Sequence, residues 1–345
     1  MEVSSDTFST THNDKIYYFC SQGCKDRFEA EIEQYKKSSE YDLIIIGAGP
    51  AGLTAAVYAS VMRLHTFLIS EDIGGQAIDS TKIKNYMGFD FITGPELVEK
   101  FRNQFLHRHY IEHTIDEVMS INSKDGDYEI ITRSKNAYLT KAVIIATGMK
   151  RRKLGIPGEQ RLLRKGVSHS ALQDTSIFAG KNVIVVGGGN SGVQTARGLL
   201  QSGCKVTLVE KANITADPSE LEILTRNPDF EILDKHDVTE IYGEDNVKGV
   251  EVQSLDDMVK RKIACNGVFI QVGLIPNIEF CIGLLELDEK GEIKIKPDCS
   301  TNAKGIFACG DVTEVSGKRI IIASGEGAKA ALSAREYLLN IKQLN

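Results

Sequence analysis

Two stretches of the chain share one pattern, in which an apolar run leads directly into closely spaced glycines and then into a helix-forming segment. The first copy carries GAGPAG at 47–52 and the second carries GGGNSG at 187–192. In each copy a further apolar run ends in an acid, Glu71 or Glu210, about 20 residues beyond the glycines. The pattern predicts two strand–turn–helix units of the kind that bind dinucleotides.

The spacing of the glycines indicates what each one does. Gly47 permits the tight turn, Gly49 lets the backbone approach a pyrophosphate, and Gly52 lets helix and strand pack closely, while the free N–H groups of the helix face the phosphates. A glycine-rich turn in some other α/β domain is the alternative for one copy, and the duplication argues against it. The candidate phosphate-binding residues are Gly47, Ala48, Gly49, Pro50, Ala51 and Gly52 in the first copy and Gly187, Gly189, Asn190, Ser191 and Gly192 in the second.

The second acid bears on coenzyme choice. A carboxylate at the end of that strand accepts hydrogen bonds from a free ribose 2′-hydroxyl and repels a 2′-phosphate. Glu210 therefore predicts NADH over NADPH, and the neighbouring Lys211 is the residue that could soften the preference.

Composition narrows the class of protein. The 345 residues are enough for about two domains. A net charge of -6 argues against a nucleic-acid binder. No early segment resembles a signal peptide and no run is long enough to span a bilayer, so we expect no membrane association and a cytoplasmic location. Seven cysteines, an odd number, favour a reducing compartment.

Residues 1–39 differ from the rest of the chain. Residues 15–20 read as an aromatic strand and residues 23–35 as a charged helix, which places Cys20 at a strand end and Cys24 at a helix start. A metal site needs about four ligands, so these two cysteines are half of one.

The stretch KIYYFCSQGCKDRFEAEIEQY resembles the second half of a YHS or TRASH-type metal-binding module. The resemblance implies that residues 1–38 are a truncated appendage binding zinc or another heavy metal, with the family's first cysteine lying upstream of Met1. A small reduced-thiol cap without metal is the alternative.

Between the two copies, Thr93-Gly-Pro-Glu predicts a helix start, with the helix ending near His109 and a strand beginning near Ile115. On that interpretation His107, His109 and His113 are surface residues. A hairpin over 128–133 and 137–146 leads into a returning core strand that ends in Ala146-Thr147-Gly148, and small residues there suit close approach to a cofactor.

From about residue 41 to 340 the chain resembles the thioredoxin reductase family of pyridine-nucleotide flavoproteins, most of all the reductase core of the flavoprotein subunit of alkyl hydroperoxide reductase. The motifs that carry the resemblance are GAGPAG at 47–52, Glu71 with GGQ at 74–76, Asn85, TGPEL at 93–97, ATG at 146–148, GGGNSG at 187–192, QVGLIPN at 271–277, GIFACGD at 305–311 and RIIIASGEGAKAA at 319–331.

The resemblance implies an α/β fold with two Rossmann-like three-layer domains, the second inserted in the first, and a small N-terminal α+β appendage. Residues 41–150 and 277–345 would bind FAD, residues 151–276 would bind NAD(P)H, and the protein would be a homodimer. The implied FAD contacts are Glu71 to the ribose, Gly75, Gln76 and Asn85 around the flavin, Thr147 and Gly148 beside it, Gly310 and Asp311 to the ribityl chain, and Arg319, Ile320 and Ile321 at the ring edge, while Gly273 belongs to the QVGLIPN motif.

One departure from the family determines the predicted chemistry. The family carries its redox disulfide in GVSYCATCDG, where this chain has GVSHSALQD at 166–174, with Ser170 and Gln173 replacing the cysteines. Neither side chain can shuttle two electrons through a disulfide. We therefore expect electrons to pass directly from flavin to an acceptor such as oxygen, a quinone, a dye, ferredoxin or a metal ion. His169 is a candidate to gate or protonate a substrate there, although a lone histidine is more often structural.

Two other interpretations remain open. Cys20 and Cys24 could act as a relocated thiol pair or as a metal-loaded port, and their spacing suits metal better than a disulfide. A flavoprotein that senses redox state or metal without turnover would also have lost the cysteines, but both nucleotide motifs are intact, which argues for continued electron transfer.

Overall fold

The computed structural model describes residues 8–12, 15–19, 21–26, 29, 40–80, 82–108, 110–169 and 175–344. They form two compact units: Met1–Gly148 with Pro276–Asn345, and Met149–Ile275. The second unit is thus an insertion in the sequence of the first.

The strands and helices are numbered in chain order. The strands are β1 (Phe8–His12), β2 (Lys15–Phe19), β3 (Glu40–Ile46), β4 (Thr66–Ser70), β5 (Ile111–Ile115), β6 (Val118–Lys124), β7 (Asp127–Thr132), β8 (Ala137–Ile145), β9 (Met149–Arg151), β10 (Val167–Ser168), β11 (Asn182–Val186), β12 (Lys205–Val209), β13 (Phe230–Leu233), β14 (His236–Gly243), β15 (Val247–Ser254), β16 (Lys260–Ala264), β17 (Gly267–Ile270), β18 (Leu274–Pro276) and β19 (Ile306–Ala308). The helices are α1 (Pro50–Val61), α2 (Gly94–Leu106), α3 (Asn190–Gln201), α4 (Pro218–Thr225) and α5 (Ile320–Leu344).

The first unit is built on a seven-stranded sheet in the order β5-β4-β3-β8-β7-β6, with β19 also paired to β8. Strands β5, β4, β3, β8 and β19 run parallel, whereas β6 and β7 are antiparallel additions. Strand β8 is long enough to pair with β7 through its first half and with β19 through its last three residues. The predicted hairpin and returning core strand are confirmed.

Both faces of this sheet are covered, which explains the unbroken apolar run of β3. Leu43 and Ile45 enter one buried cluster, and Ile44 and Ile46 enter another on the opposite face. The first cluster also contains alanines of α1 and α5, whose small side chains let the two helices approach each other closely. A parallel strand buried on both faces is continuously apolar rather than alternating.

The second unit contains a parallel five-stranded sheet in the order β10-β17-β11-β12-β13 and an antiparallel meander of β14, β15 and β16. Strands β9 and β18, at the ends of the inserted segment, form a two-stranded sheet. No helix in the described ranges of the chain combines the length and apolar composition that crossing a bilayer requires.

Two predictions concern the boundaries of helix α2. The start at Thr93 is confirmed, because Thr93 and Glu96 form a reciprocal capping box. The predicted end near His109 is wrong: the helix ends at Leu106, one residue after Phe105, the last residue that it buries, and β5 begins at Ile111 rather than near Ile115. His113 accordingly lies exposed on a strand, and His109 is outside the described residues.

We predict that Gly327→Ala destabilises the first unit. A methyl group at Gly327 would lie 2.0 Å from the carbonyl oxygen of Ala51 in α1, so the α1–α5 contact has to open. The expected loss is about 2–4 kcal/mol of unfolding free energy, measured by urea denaturation. Gly325→Ala, two residues away on α5 and with no atom within 4 Å of the added methyl, is the matched control and should be neutral or stabilising. Equal losses in both variants would contradict the close-packing argument.

Candidate functional site

The glycine turn of the first unit is shaped by two close backbone approaches. Gly47 has φ +105°, and a methyl group on it would lie 2.4 Å from the carbonyl oxygen of Ala146. A methyl group on Gly52 would lie 1.8 Å from the carbonyl oxygen of Gly47. Gly49 is different, because nothing lies within 4 Å of the position its side chain would take. The outer glycines are therefore required by the fold, and the middle one faces open space.

Other predicted residues converge on this turn. A methyl group at Gly75 would lie 3.2 Å from the Cα of Gly49, and one at Gly310 would lie 2.9 Å from the Cβ of Ala51. Thr147 follows Ala146 at the end of β8 and donates a hydrogen bond of 2.7 Å to the carbonyl oxygen of Asn277. The structure thus brings the 47–52 turn, Gly75, Thr147 and Gly310 to one edge of the sheet.

Two carboxyl groups lie beside the Gly310 turn. Glu326 is buried and its Oε2 accepts a hydrogen bond of 2.8 Å from the N–H of Gly310. Burial raises the pKa of Glu326, and this hydrogen bond opposes the shift. Burial also raises the pKa of the half-buried Asp311, against the attraction of Lys318. The Gly310 turn therefore has two carboxyl groups beside it that are partly or largely removed from solvent.

The remaining predicted residues of the first unit lie closer to the protein surface or at the start of the last helix. Glu71, Gln76 and Asn85 are exposed, and Gly148 has φ +62° with nothing within 4 Å of a side-chain position. The last helix begins at Ile320, and the N–H of Ala323 bonds to the carbonyl oxygen of Arg319. Ile320 and Ile321 are therefore in the first turn of α5, and the roles of all these residues stay predictions.

The second unit repeats the same cradle. Methyl groups at Gly187 and Gly192 would lie 2.3 Å from the carbonyl oxygen of Gln271 and 1.9 Å from that of Gly187. At Gly189 the nearest atom to a methyl group would be the hydroxyl of Thr215 at 3.7 Å, an ordinary contact. Asn190 begins α3, where its Oδ1 accepts a hydrogen bond of 2.9 Å from the N–H of Asp217.

Comparing the two cradles reveals a residue that sequence reasoning missed. The N–H of Ala48 donates to the hydroxyl of Ser70 at 3.0 Å, and the equivalent N–H of Gly188 donates to Oε2 of Glu210 at 2.5 Å. Ser70 lies 23 residues after Gly47, as Glu210 lies 23 residues after Gly187. Ser70 is thus the counterpart of Glu210, and Glu71 is one residue further on. Counting the spacing in both copies would have found it.

The carboxylate of Glu210 is fixed from two sides. Besides the bond from Gly188, its Oε1 accepts a hydrogen bond of 2.7 Å from the N–H of Ala212. The adjacent Lys211 points its ammonium to Oδ2 of Asp237 at 2.6 Å. Asp237 was not among the predicted residues, and no local sequence signal distinguishes it, because the pair joins the loop after β12 to strand β14.

His169 follows β10 and is associated with a buried carboxylate. Its Nε2 lies 3.5 Å from Oε1 of Glu159, which itself accepts hydrogen bonds from the N–H groups of Leu154 and Gly155. Its backbone carbonyl accepts a hydrogen bond of 3.1 Å from Nε2 of Gln271. Burial lowers the pKa of His169, and Glu159 opposes the shift. This arrangement holds the imidazole at the carboxyl edge of the sheet, and its catalytic role stays a prediction.

The position of the family's redox disulfide is only partly described. Ser170 and Gln173 lie outside the described residues, and no cysteine occurs anywhere in 166–174. None of the described cysteines forms a disulfide, and apart from the exposed Cys24 they are buried: Cys204, Cys265, Cys281, Cys299 and Cys309. Burial raises the pKa of Cys265 and of Cys281 to about 12, which makes those thiols poor nucleophiles.

The predicted metal site cannot be assembled from the described residues. Cys20 lies outside them, and Cys24 is exposed in a short helical segment at 22–26, with its N–H donating to the hydroxyl of Ser21 at 3.3 Å. Within the ranges that the structure describes, no three His, Cys, Asp or Glu residues are grouped as metal ligands. Strands β1 and β2 form the hairpin that precedes this segment. The metal-binding appendage stays a prediction.

Both cradles fit the pyrophosphate of a dinucleotide. The middle glycines leave room for a group against the backbone, and they are also the N-cap residues of helices α1 and α3, so no side chain caps either helix. By contrast, α2 and α4 are capped by Thr93 and Asp217. Uncapped N–H groups beside an open glycine are the arrangement that dinucleotide phosphates require.

Two dinucleotide cradles on parallel sheets, one inserted in the sequence of the other, define a protein that binds two dinucleotides. The chain belongs to the pyridine nucleotide-disulphide oxidoreductase family, whose model matches residues 41–327. Members of this family use FAD and NAD(P)H, so the predicted fold class and the predicted class of FAD-dependent enzyme are confirmed.

Individual relatives agree with this assignment. The chain is 38% identical over 315 residues to the F component of alkyl hydroperoxide reductase from Staphylococcus epidermidis, a match that covers 90% of this chain and 61% of that protein. It thus spans about three fifths of the curated relatives that it matches. It is similar to a crystal structure of Lactococcus lactis thioredoxin reductase in the FR conformation (34% identity, TM-score 0.73, 87% and 99% coverage) and to that of T. acidophilum thioredoxin reductase (33%, 0.71, 88% and 100%).

We predict that adding one methyl group at the middle glycine of either cradle weakens the binding of one nucleotide and leaves the other unaffected. Gly49→Ala should lower FAD retention, read as the flavin-to-protein absorbance ratio, by at least about tenfold, because the methyl enters the phosphate cradle. Gly189→Ala should leave FAD retention unchanged and weaken NADH binding by a similar factor. Backbone angles at both positions suit alanine, so unfolding temperatures of the FAD-free proteins should match. Loss of both ligands in either variant would contradict two separate sites.

Proposed function

We propose that this protein is an FAD-dependent NADH oxidoreductase that passes electrons from its flavin directly to an external acceptor, without a redox disulfide of its own. The observation that carries the proposal is the combination of two open nucleotide cradles with the absence of any cysteine in 166–174. When bound, FAD supplies the acceptance of two electrons from NADH and their release to the acceptor.

The first unit is proposed to hold FAD and the second NADH. The backbone turn 47–52 and the uncapped N-terminus of α1 bind the pyrophosphate, Gly75 and Thr147 line the adjacent surface, and the Gly310 turn provides a carboxyl group for a sugar hydroxyl. We further propose a homodimer, by analogy with the family.

The thiols of the chain are poor candidates for a relay. Those buried in the core have no access to solvent, and the raised pKa values of Cys265 and Cys281 keep them protonated. Cys24 is the exposed cysteine of the described residues, and its sequence partner Cys20 is spaced for metal rather than for a disulfide. Electron storage is therefore assigned to the flavin alone.

An anaerobic titration tests this assignment. We expect NADH to bleach the flavin absorbance at about one equivalent per FAD, because a chain without a redox disulfide stores two electrons rather than four. Cys20→Ser/Cys24→Ser is the control and should give the same end point. An end point near two equivalents that falls to one in the double variant would assign the relay to the N-terminal cysteines and overturn the proposal.

The preference for NADH rests on the second unit. Glu210 is held by two backbone N–H groups, so its carboxylate stays where a 2′-phosphate would approach. Lys211, which could compensate that charge, is engaged by Asp237 at 2.6 Å. The ion pair is surface-exposed and therefore weak, yet it directs the ammonium to Asp237 and adds a second carboxylate nearby.

We predict that Asp237→Asn raises kcat/KM for NADPH by about threefold to tenfold while changing that for NADH by less than about twofold, because Lys211 is released and one negative charge is removed. Asp237→Glu keeps the charge and is the matched control. Lys211→Ala/Asp237→Asn should lose most of the gain. An unchanged coenzyme ratio in Asp237→Asn would show that Asp237 has no part in selection.

A further inference from the structure

One short stretch of the second unit has a charge opposite to that of the chain. Residues 150–165 contain seven cationic side chains and a single carboxylate, Glu159, although the whole chain carries a net charge of -6. Glu159 is buried and its two oxygens accept hydrogen bonds from the N–H groups of Leu154 and Gly155. The one acid of the stretch is thus directed inward, so the exposed charges of the stretch itself are all positive.

Four of these cations are exposed and have no carboxylate partner within the described residues: Arg152, Lys153, Arg164 and Lys165. We name these four residues the cationic strip. The nearby Arg161 instead donates to the backbone carbonyls of Gly243 and Glu244. Cations that are satisfied neither by an ion pair nor by burial produce a field that attracts negatively charged partners.

The strip extends along one flank of the five-stranded sheet. The N–H of Arg152 bonds to the carbonyl of Gly273, beyond the carboxyl end of β17, whereas Lys165 lies beside Val247 and just before Val167, which pairs with Val268 near the start of β17. Gly273 lies three residues beyond the end of β17 at Ile270, so the two ends of the strip adjoin opposite ends of that strand. A partner whose backbone follows the strand can therefore face all four cations.

The end of the strip formed by Arg152 and Lys153 adjoins the carboxyl edge of the sheet. It lies next to residues that have already been placed at the candidate site. Lys153 acts electrostatically on His169, whose carbonyl accepts from Gln271, and Gln271 contacts Gly187 of the nucleotide cradle. A partner bound along the strip would therefore be held beside the edge of the sheet where the coenzyme cradle opens.

We propose that the cationic strip is the docking surface for an acidic protein that accepts electrons from this enzyme. The inference rests on the proposed function and identifies its acceptor class. For a one-electron haem protein the balance is one NADH and two ferric haems giving NAD⁺, one proton and two ferrous haems. Complementary charge would act mainly by steering the encounter and holding the complex in register.

The test uses one acceptor in two charge states. Native cytochrome c is basic, and the same protein succinylated on its lysines is acidic, with the haem unchanged. Under anaerobic conditions with NADH, we expect the succinylated form to be reduced with the higher kcat/KM, and this value to fall about tenfold or more between roughly 20 and 200 mM NaCl.

Two charge-removing variants locate the effect. Arg152→Ser/Lys153→Ser and Arg164→Ser/Lys165→Ser should each lower kcat/KM for the succinylated protein by about threefold to tenfold. Arg261→Ser/Lys290→Ser removes two exposed cations from outside the strip and should change it by less than about twofold. Turnover with the neutral quinone menadione and the KM for NADH should be unchanged in every variant.

Several outcomes would overturn the inference. Equal, salt-independent rates with both charge forms would exclude acidic docking. An effect of Arg152→Ser/Lys153→Ser alone would indicate a small anion at one end, and a raised KM for NADH would assign the cations to the coenzyme. Failure of menadione turnover in the unmodified protein would instead refute the proposed function, which keeps the two tests distinct.

Discussion

The contact on which both units depend is that of a helix backbone with the carbonyl oxygen of the first glycine in its turn. A methyl group at Gly52 or Gly192 would lie within 2 Å of that oxygen, so only glycine lets the helix start where it does. This places the N-termini of α1 and α3 at the carboxyl edges of their sheets. The middle glycines Gly49 and Gly189 remain open in this geometry, because an added methyl group would have no neighbour within 4 Å at Gly49 and only an ordinary contact at Gly189.

The same framework carries different chemistry in the two units. Where the second unit has the carboxylate of Glu210 on the turn's N–H, the first has the hydroxyl of Ser70. The hydroxyl accepts from the backbone without adding charge, whereas the carboxylate also adds a negative charge beside the turn. Our proposal accordingly assigns coenzyme discrimination to the second unit, whereas the carboxyl groups beside the first cradle, Asp311 and Glu326, come from later elements.

Prediction from the sequence succeeded where a local pattern determines the backbone. The glycine turns, the buried β3 and the Thr93 cap all follow from spacing and residue type within one element. It failed at the end of α2, where the last buried side chain, and not a capping residue, sets the boundary. It also missed Ser70, which the equal spacing in the two copies would have revealed. Glu159 and Asp237 were missed because their roles come from contacts across elements that the chain order does not reveal.

The framework also explains how the route of electrons can change while the nucleotide sites stay intact. Among the residues that the structure describes, the close approaches that build each cradle involve backbone, glycine and alanine atoms, and none comes from 166–169. Replacing cysteines in the 166–174 segment removes a relay without disturbing either cradle. Glu159, which holds the Leu154 and Gly155 amides, keeps the preceding stretch folded with its cations outward. An enzyme that has lost its internal dithiol then still has a charged surface beside the site, and that surface can select which external acceptor approaches.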